Sequence, residues 1–165
     1  MKRDFVDDLL DQWATERPDT EVSSLGVVVR IQALAKLLQQ RTDRALKAHG
    51  LKHWEYDVLS VLRRQGAPFE LPVTEIATAA LLTSGAMTTR IDGLEKRGLV
   101  RRVQSKLDRR SMLVRLTKRG IALVDKAIDT RLSDSTDALA AMTTDDRRQL
   151  AAALRNLIIE IDGPN

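Results

Sequence analysis

Between Val73 and Gly120 the chain reads VTEIATAALLTSGAMTTRIDGLEKRGLVRRVQSKLDRRSMLVRLTKRG, and the order of patterns in this stretch decides the fold. Val73 to Leu81 is a short helical segment with Ile76, Ala77 and Leu81 turned inward. Leu82-Thr83-Ser84 breaks that periodicity. Thr83 or Ser84 then caps a second helix from about Gly85 to Arg97, which buries Met87, Ile91 and Leu94 and stops at Gly98. Two short helices on a tight turn, the second carrying exposed Thr and Arg, form a helix-turn-helix pattern; an ordinary corner between two helices gives the same local signal. The next twenty residues separate the two readings. Leu99 to Gln104 reads as a strand and Met112 to Leu116 as its partner, and the polar loop Ser105–Ser111 between them holds three cations. A basic two-stranded β-wing thus follows directly on the helix-turn-helix.

The charge distribution supports that reading. The formal net charge of +4 hides an asymmetry: from Arg97 to Arg119 there are nine basic residues and one acid, Asp108, a net +8. The remainder carries 18 basic and 22 acidic residues, a net −4. A cationic block confined to a wing on an otherwise acidic chain marks a surface for a polyanion.

Outward from this centre the chain is helical. Residues 1–17 supply an extra N-terminal helix, with Phe5, Leu9, Leu10 and Trp13 at helical spacing up to Pro18. A long helix over 24–50 follows, capped by Ser23 or Ser24 and stopped by Gly50, with Leu25, Val28, Ile31, Ala35, Leu38, Thr42, Ala45 and Leu46 as its stripe. The winged helix-turn-helix spans 52–116. It begins with a helix that turns Val58, Val61 and Leu62 inward, then the loop GAPFELP ending in a short extended piece, a recognition helix over about 84–97 and the wing over about 99–116. Two helices over 117–162 close the chain. Thr117 starts the first, which faces Ile121, Val124, Ile128 and Leu132 inward. Thr143 caps the second, whose stripe is Leu150, Leu154, Leu157 and Ile161. The expected architecture is one mainly α domain over 1–165, a winged helix-turn-helix whose N- and C-terminal helices form a dimerisation region. An intramolecular bundle of those helices is the alternative.

Composition removes several function classes. With no cysteine there is no disulfide, thiolate nucleophile or Cys-type zinc site. Only two histidines are present, and Gly50 separates His49 from His53, which argues against shared metal ligation. No Gly-x-Ser-x-Gly, phosphate-binding Gly loop or His-Glu-x-x-His occurs, so an enzyme is not expected. The apolar runs are a few residues long, against the ~20 that a membrane span needs. The acidic N-terminal segment does not read as a signal peptide. A cytoplasmic protein without membrane association or cofactor is the expectation.

The run Asp108-Arg109-Arg110-Ser111 through Leu116-Thr117-Lys118-Arg119-Gly120 resembles the MarR family of bacterial winged-helix regulators, in which an Asp-x-Arg wing runs into a Leu-Thr-x-x-Gly helix start. Gly85 to Val100 resembles that family's recognition helix and exit strand. The resemblance extends over nearly the whole chain. It implies a homodimer on double-stranded, pseudo-palindromic operator DNA, with recognition helices in the major groove and wings near the minor groove. Ser84, Thr88 and Thr89 suit base edges and phosphates, and Arg90 suits either DNA or the interior. Arg109 and Arg110 suit the electronegative minor groove, Arg101 and Lys106 suit phosphates, and Asp108 braces the wing or is simply a turn residue.

A narrower resemblance is to the urate-responsive subgroup of the family, carried by the extra N-terminal helix with Trp13 and by the segment Trp54 to Arg64. It implies a ligand site of Trp13, Asp57, Arg64 and Arg90. Two arginines would line a site for a planar anion, the Trp would stack on it, and Asp57 would pair with an Arg or accept a ligand N–H. Thr89 departs from the Asn that many members carry before that Arg. The implied function is a dimeric repressor released from DNA by urate, another purine or a small organic anion. The competing readings are a ligand-independent DNA-binding or architectural protein and a protein-interaction module.

Overall fold

The computed structural model describes residues 2–80, 87–105 and 111–163. Among these, seven helices and three strands follow in the order α1 (Phe5–Glu16), α2 (Ser23–Lys47), α3 (His53–Arg64), β1 (Glu70–Pro72), α4 (Val73–Ala79), α5 (Met87–Lys96), β2 (Val100–Gln104), β3 (Met112–Leu116), α6 (Lys118–Ala138) and α7 (Thr144–Asp162). The chain divides into two compact units, 1–44 and 45–165.

In the first unit α1 starts at a capping box. The Asp4 carboxylate accepts the N–H groups of Val6 and Asp7, and Asp7 accepts the N–H of Asp4, which satisfies donors that a helix start leaves open. The same two acids receive Arg30 of α2, at 2.9 and 3.0 Å to Asp4 and 2.7 Å to Asp7. A Cβ at Gly26 would stand 2.8 Å from Leu10 Cδ1, so α1 approaches α2 where no side chain intervenes. Of the stripe expected on α2 in this unit, Thr42 is buried, while Leu25, Val28 and Leu38 are exposed together with Val27, Leu34 and Leu37.

The second unit holds the main core. Leu46, Leu51, Val58, Leu59, Leu62, Ile76, Met87, Ile91, Leu94, Leu99, Val114, Leu116 and Val124 form one buried cluster. The inward residues read from α3, α4 and α5 are in it, apart from Val61, which is buried but outside the cluster, and Leu81, which lies outside the described residues. On α6 the expected inward face holds through Val124 and Ile128, but Leu132 is exposed.

The sheet has three antiparallel strands in the order β1-β3-β2, one more than the expected hairpin. The extended end of GAPFELP pairs with β3 at Glu70↔Arg115, Leu71↔Val114 and Pro72↔Leu113. Pro72, which lacks an N–H, sits at the end of this edge strand, where no ladder donor is required. The wing strands pair from Val100↔Leu116 to Gln104↔Met112, and Ser105 N–H continues the ladder to Ser111 O at 2.9 Å.

The joint between sheet and α6 explains the Leu-Thr-x-x-Gly pattern physically. Thr117 Oγ1 accepts the Gly120 N–H at 3.0 Å as N-cap and donates to Gly98 O at 2.7 Å, and the Thr117 N–H bonds Leu99 O at 3.1 Å. Gly120 is buried so tightly that an added Cβ would meet Leu99 O at 2.0 Å. Helix α7 begins at a capping box between Thr143 and Asp146 and buries none of its residues. Its Leu150, Leu154, Leu157, Ile158, Ile159 and Ile161 are exposed. Among the described residues no helix is long and apolar enough to cross a membrane.

Candidate nucleic-acid interface

Helix α5 presents the core with Met87, Ile91 and Leu94, spaced four and three residues apart on one face. Thr88 and Thr89 are exposed on its other side. Arg101 is exposed on β2, while its neighbour Arg102 turns to the opposite face of the strand, as the pleat requires. Ser84, Lys106, Asp108, Arg109 and Arg110 lie outside the described residues.

The cationic block is not uniform. Arg97 donates to Glu55 Oε1 at 2.6 Å and to Gly50 O at 3.0 Å. Glu55 is buried and also accepts the Lys52 N–H at 2.8 Å, so one carboxylate closes the start of α3 and holds the end of α5. Arg102 is taken by Asp92 and Glu95, and Arg115 by Glu70 across the sheet. Three of the nine cations are therefore matched by acids from outside the block. Arg101, Lys118 and Arg119 are exposed.

Arg90 points the other way from Thr88 and Thr89. Its guanidinium lies 5.4 Å from the centre of the Trp54 ring, and its Nη1 is buried with no hydrogen-bond partner among the described residues. Asp57, one turn beyond Trp54 on α3, is half-buried near the same arginine. Burial raises the Asp57 carboxyl above its ordinary value, and His53, Arg131, Arg64 and Arg90 in turn favour its anion. His53 Nε2 stands 3.8 Å from Asp57 Oδ1. Arg64 is exposed and donates to Ala79 O at 2.9 Å, placing a cation at the C-terminal end of α4, where the helix dipole favours it.

The structure thus brings Asp57, Arg64 and Arg90 into one electrostatic neighbourhood and adds Trp54, His53 and Arg131, which sequence reasoning did not place there. Trp54 and His53 carried a signal, since they sit three and four residues before Asp57 on the same helix. Arg131 carried none. Trp13 belongs to the first unit, on α1, and is 45% exposed. His49, the other histidine, bonds Thr130 Oγ1 at 2.8 Å. Among the described residues no group of three or more His, Asp or Glu is placed to hold a metal ion.

Residues 49–111 match the model of the MarR family. Across 149 residues, 90% of each protein, the chain is 31% identical to the HTH-type transcriptional regulator PecS of Dickeya dadantii (strain 3937). It is 30% identical over 129 residues to the transcriptional repressor MprA of Escherichia coli (strain K12), covering 78% of this chain and 72% of MprA. Its fold is similar to that of AbsC, a MarR family transcriptional regulator from Streptomyces coelicolor, with a TM-score of 0.76 at 20% identity over 88% of this chain and 97% of AbsC. A mutant MarR from E. coli complexed with operator DNA superposes with a TM-score of 0.70 at 19% identity, over 88% of this chain and 97% of that one. These relatives are transcriptional regulators, not enzymes.

Proposed function

The chain belongs to the MarR family of winged-helix, DNA-binding transcriptional regulators, and from that premise we propose that it is a cytoplasmic, dimeric repressor released from its operator by a small anionic or aromatic ligand such as urate, another purine or an organic anion. Thr88 and Thr89, with Ser84, read bases and phosphates; Arg101 and Lys106 hold the backbone; Arg109 and Arg110 enter the minor groove, braced by Asp108. A mutant MarR of E. coli with a similar fold is crystallised in complex with operator DNA, which supports DNA as the partner.

Dimerisation rests on the apolar residues that one chain leaves uncovered. Helix α7 exposes six large aliphatic side chains and buries nothing, an arrangement stable in water only if another surface covers it. A second copy covering α7 is the occupant that a two-fold operator requires.

The observation that carries ligand response is Arg90. It stands beside the DNA-reading Thr89, yet its guanidinium faces Trp54 and Asp57 with a buried N–H unmatched among the described residues. An anionic ligand oxygen bonded to Nη1 would complete that set, with Arg64 as second cation and the Trp54 ring as an apolar wall. Such a ligand shifts the protein from its DNA-binding form only by its differential affinity for the two forms. The test is a mobility-shift titration on the DNA upstream of the protein's own gene, with and without urate, for wild type and Arg90→Ala. Release of the wild type by urate and retention of the variant supports the reading. Equal release of both sinks the role of Arg90, and a shift indifferent to urate leaves a regulator with another ligand or none.

A further inference from the structure

Arg102 lies in the most basic part of the chain, on the strand that leads into the wing, and charge alone would make it a phosphate contact. Its hydrogen bonds say otherwise. The Arg102 N–H donates to Glu95 Oε1 at 2.9 Å, Nη1 donates to Glu95 Oε2 at 2.5 Å, and Nη2 donates to Asp92 Oδ1 at 2.5 Å. Asp92 and Glu95 are three residues apart on α5, so both carboxylates project from one side of that helix toward β2. Glu95 uses both oxygens on a single residue, one on its backbone and one on its side chain. The acids hold the guanidinium in its charged form still more firmly than usual, chiefly through the bond to Asp92.

We propose that Arg102 is a positioning residue for DNA recognition: the Arg102–Asp92–Glu95 clamp fixes the angle between the DNA-reading helix and the wing, so that both reach DNA as one unit. Three features support this. The clamp joins the two elements that must enter different grooves, and it does so with a rigid planar fork rather than a flexible ammonium. The adjacent Arg101 is exposed on the other face of β2, so the strand already offers a cation outward without using Arg102. Just past the C-terminal end of α5, Arg97 is tied to Glu55 and Gly50, so the same half of the helix that carries the clamp is also held against the start of α3.

The inference deepens the DNA-binding reading, and the sign of an acid-to-amide substitution separates it from simple electrostatics. Asp92→Asn and Glu95→Gln each remove a negative charge close to the DNA-facing elements. If charge alone mattered, both variants would bind every duplex at least as tightly as wild type. If the clamp positions helix and wing, both weaken binding to a specific duplex while leaving or tightening binding to a non-specific one.

The probes are the duplex that the wild-type protein enriches most from a randomised pool and a scrambled duplex of the same composition. Affinities for both are measured by fluorescence anisotropy at several salt concentrations, after circular dichroism shows each variant folded. The expected result is a fall of about tenfold in the ratio of specific to non-specific affinity for Asp92→Asn, Glu95→Gln and Arg102→Gln, the size of coupling found between groups of one ion-pair network. Arg102→Lys keeps the cation and loses the fork, so it should fall with Arg102→Gln. The slope of log affinity against log salt should stay at the wild-type value in all four.

An unchanged ratio in the two amide variants overturns the proposal. So does wild-type behaviour of Arg102→Lys combined with a slope shallower by about 0.9 in Arg102→Gln, which is the signature of one phosphate contact. A wild-type protein that enriches no duplex overturns the DNA-binding reading itself, and the clamp's role with it.

Discussion

Gly120→Ala tests the account of the joint between sheet and α6. An alanine Cβ there would lie 2.0 Å from Leu99 O, 3.0 Å from Leu99 C and 3.3 Å from Leu116 Cδ2. The nearest neighbour is a backbone carbonyl, not the end of a flexible side chain, so α6 and the end of β2's lead-in must separate by about 1 Å, and packed interiors resist such a shift. Overpacking of this kind costs about 1–3 kcal/mol. The separation also loosens the Thr117 cap, worth about 1 kcal/mol, and the Thr117 N–H bond to Leu99 O, worth about as much again. The expected loss is therefore about 3–5 kcal/mol, a large part of the ~5–15 kcal/mol that holds a typical domain folded. For a chain of this size that lowers Tm by about 6–20 °C. Urea and thermal unfolding followed by circular dichroism, at one fixed protein concentration so that subunit association does not enter, give both numbers. Gly93→Ala is the matched control: no described residue lies within 4 Å of its added Cβ, and it sits inside a helix. It should stabilise by about 0.5–1 kcal/mol. A Gly120→Ala protein within about 1 kcal/mol of wild type would refute the packing argument, because no smaller adjustment relieves a 2.0 Å contact with backbone.

Three further outcomes are expected. Because burial holds the folded Asp57 carboxyl above 3.8, the folded state binds that proton more tightly than the unfolded one; stability falls as pH rises from 3.8 through the folded value, and the penalty persists above it. Asp57→Asn should therefore be more stable than wild type at neutral pH, with the difference closing below 3.8, and a difference that does not vary with pH in paired urea titrations would count against the assignment. Leu154→Glu, at an exposed site on α7, should convert the proposed dimer to a monomer by sedimentation equilibrium, with helical content falling as α7 loses its cover; an unchanged mass removes α7 from the interface. Thr89→Ala should weaken specific DNA binding about tenfold, within the range of one base contact, with Tm unchanged because the side chain is exposed.

Local signals were readable wherever a residue acts on its own backbone. Gly50 and Gly98 adopt positive φ and follow α2 and α5 where the sequence places the stops, and Gly66, which opens the loop GAPFELP, does the same after α3. Thr117 and Thr143 begin helices by the cap chemistry that their side chains dictate, and Asp4, which the sequence reading did not single out, does the same. Strand β1 was visible only as an extended piece, because what makes it a strand is a partner more than forty residues on: Arg115 opposite Glu70, and Leu116 N–H on Phe69 O. The fate of individual charges was hidden for the same reason. Nothing near Arg97 in sequence announces that Glu55, 42 residues earlier, will hold it. Asp57, Arg64 and Arg90 entered through a resemblance. Arg131 joins their surroundings because packing of Val124 and Ala127 sets the rotation of α6, and no local pattern reports that angle.

The described part of α5 assigns its residues to four directions within ten positions. Met87, Ile91 and Leu94 face the core, Asp92 and Glu95 hold the wing strand, Arg90 faces Trp54, and Thr88 and Thr89 face outward. Successive helical residues differ by about 100° in direction, so one turn suffices to put an outward threonine, proposed to read DNA, beside an inward arginine. That adjacency couples the two tasks mechanically. Because Arg97 and the Arg102 clamp tie the second half of the helix to α3 and β2, bending α5 alone would break several charge-assisted bonds, each stronger than an ordinary hydrogen bond. Under the proposed function, the less costly response to a ligand on Arg90 is for helix and wing to move together. In a dimer that motion changes the spacing between two reading helices, which must match half-sites about one helical turn apart. The proposed release from DNA would then require no unfolding of the reading surface, only a displacement that the operator cannot follow.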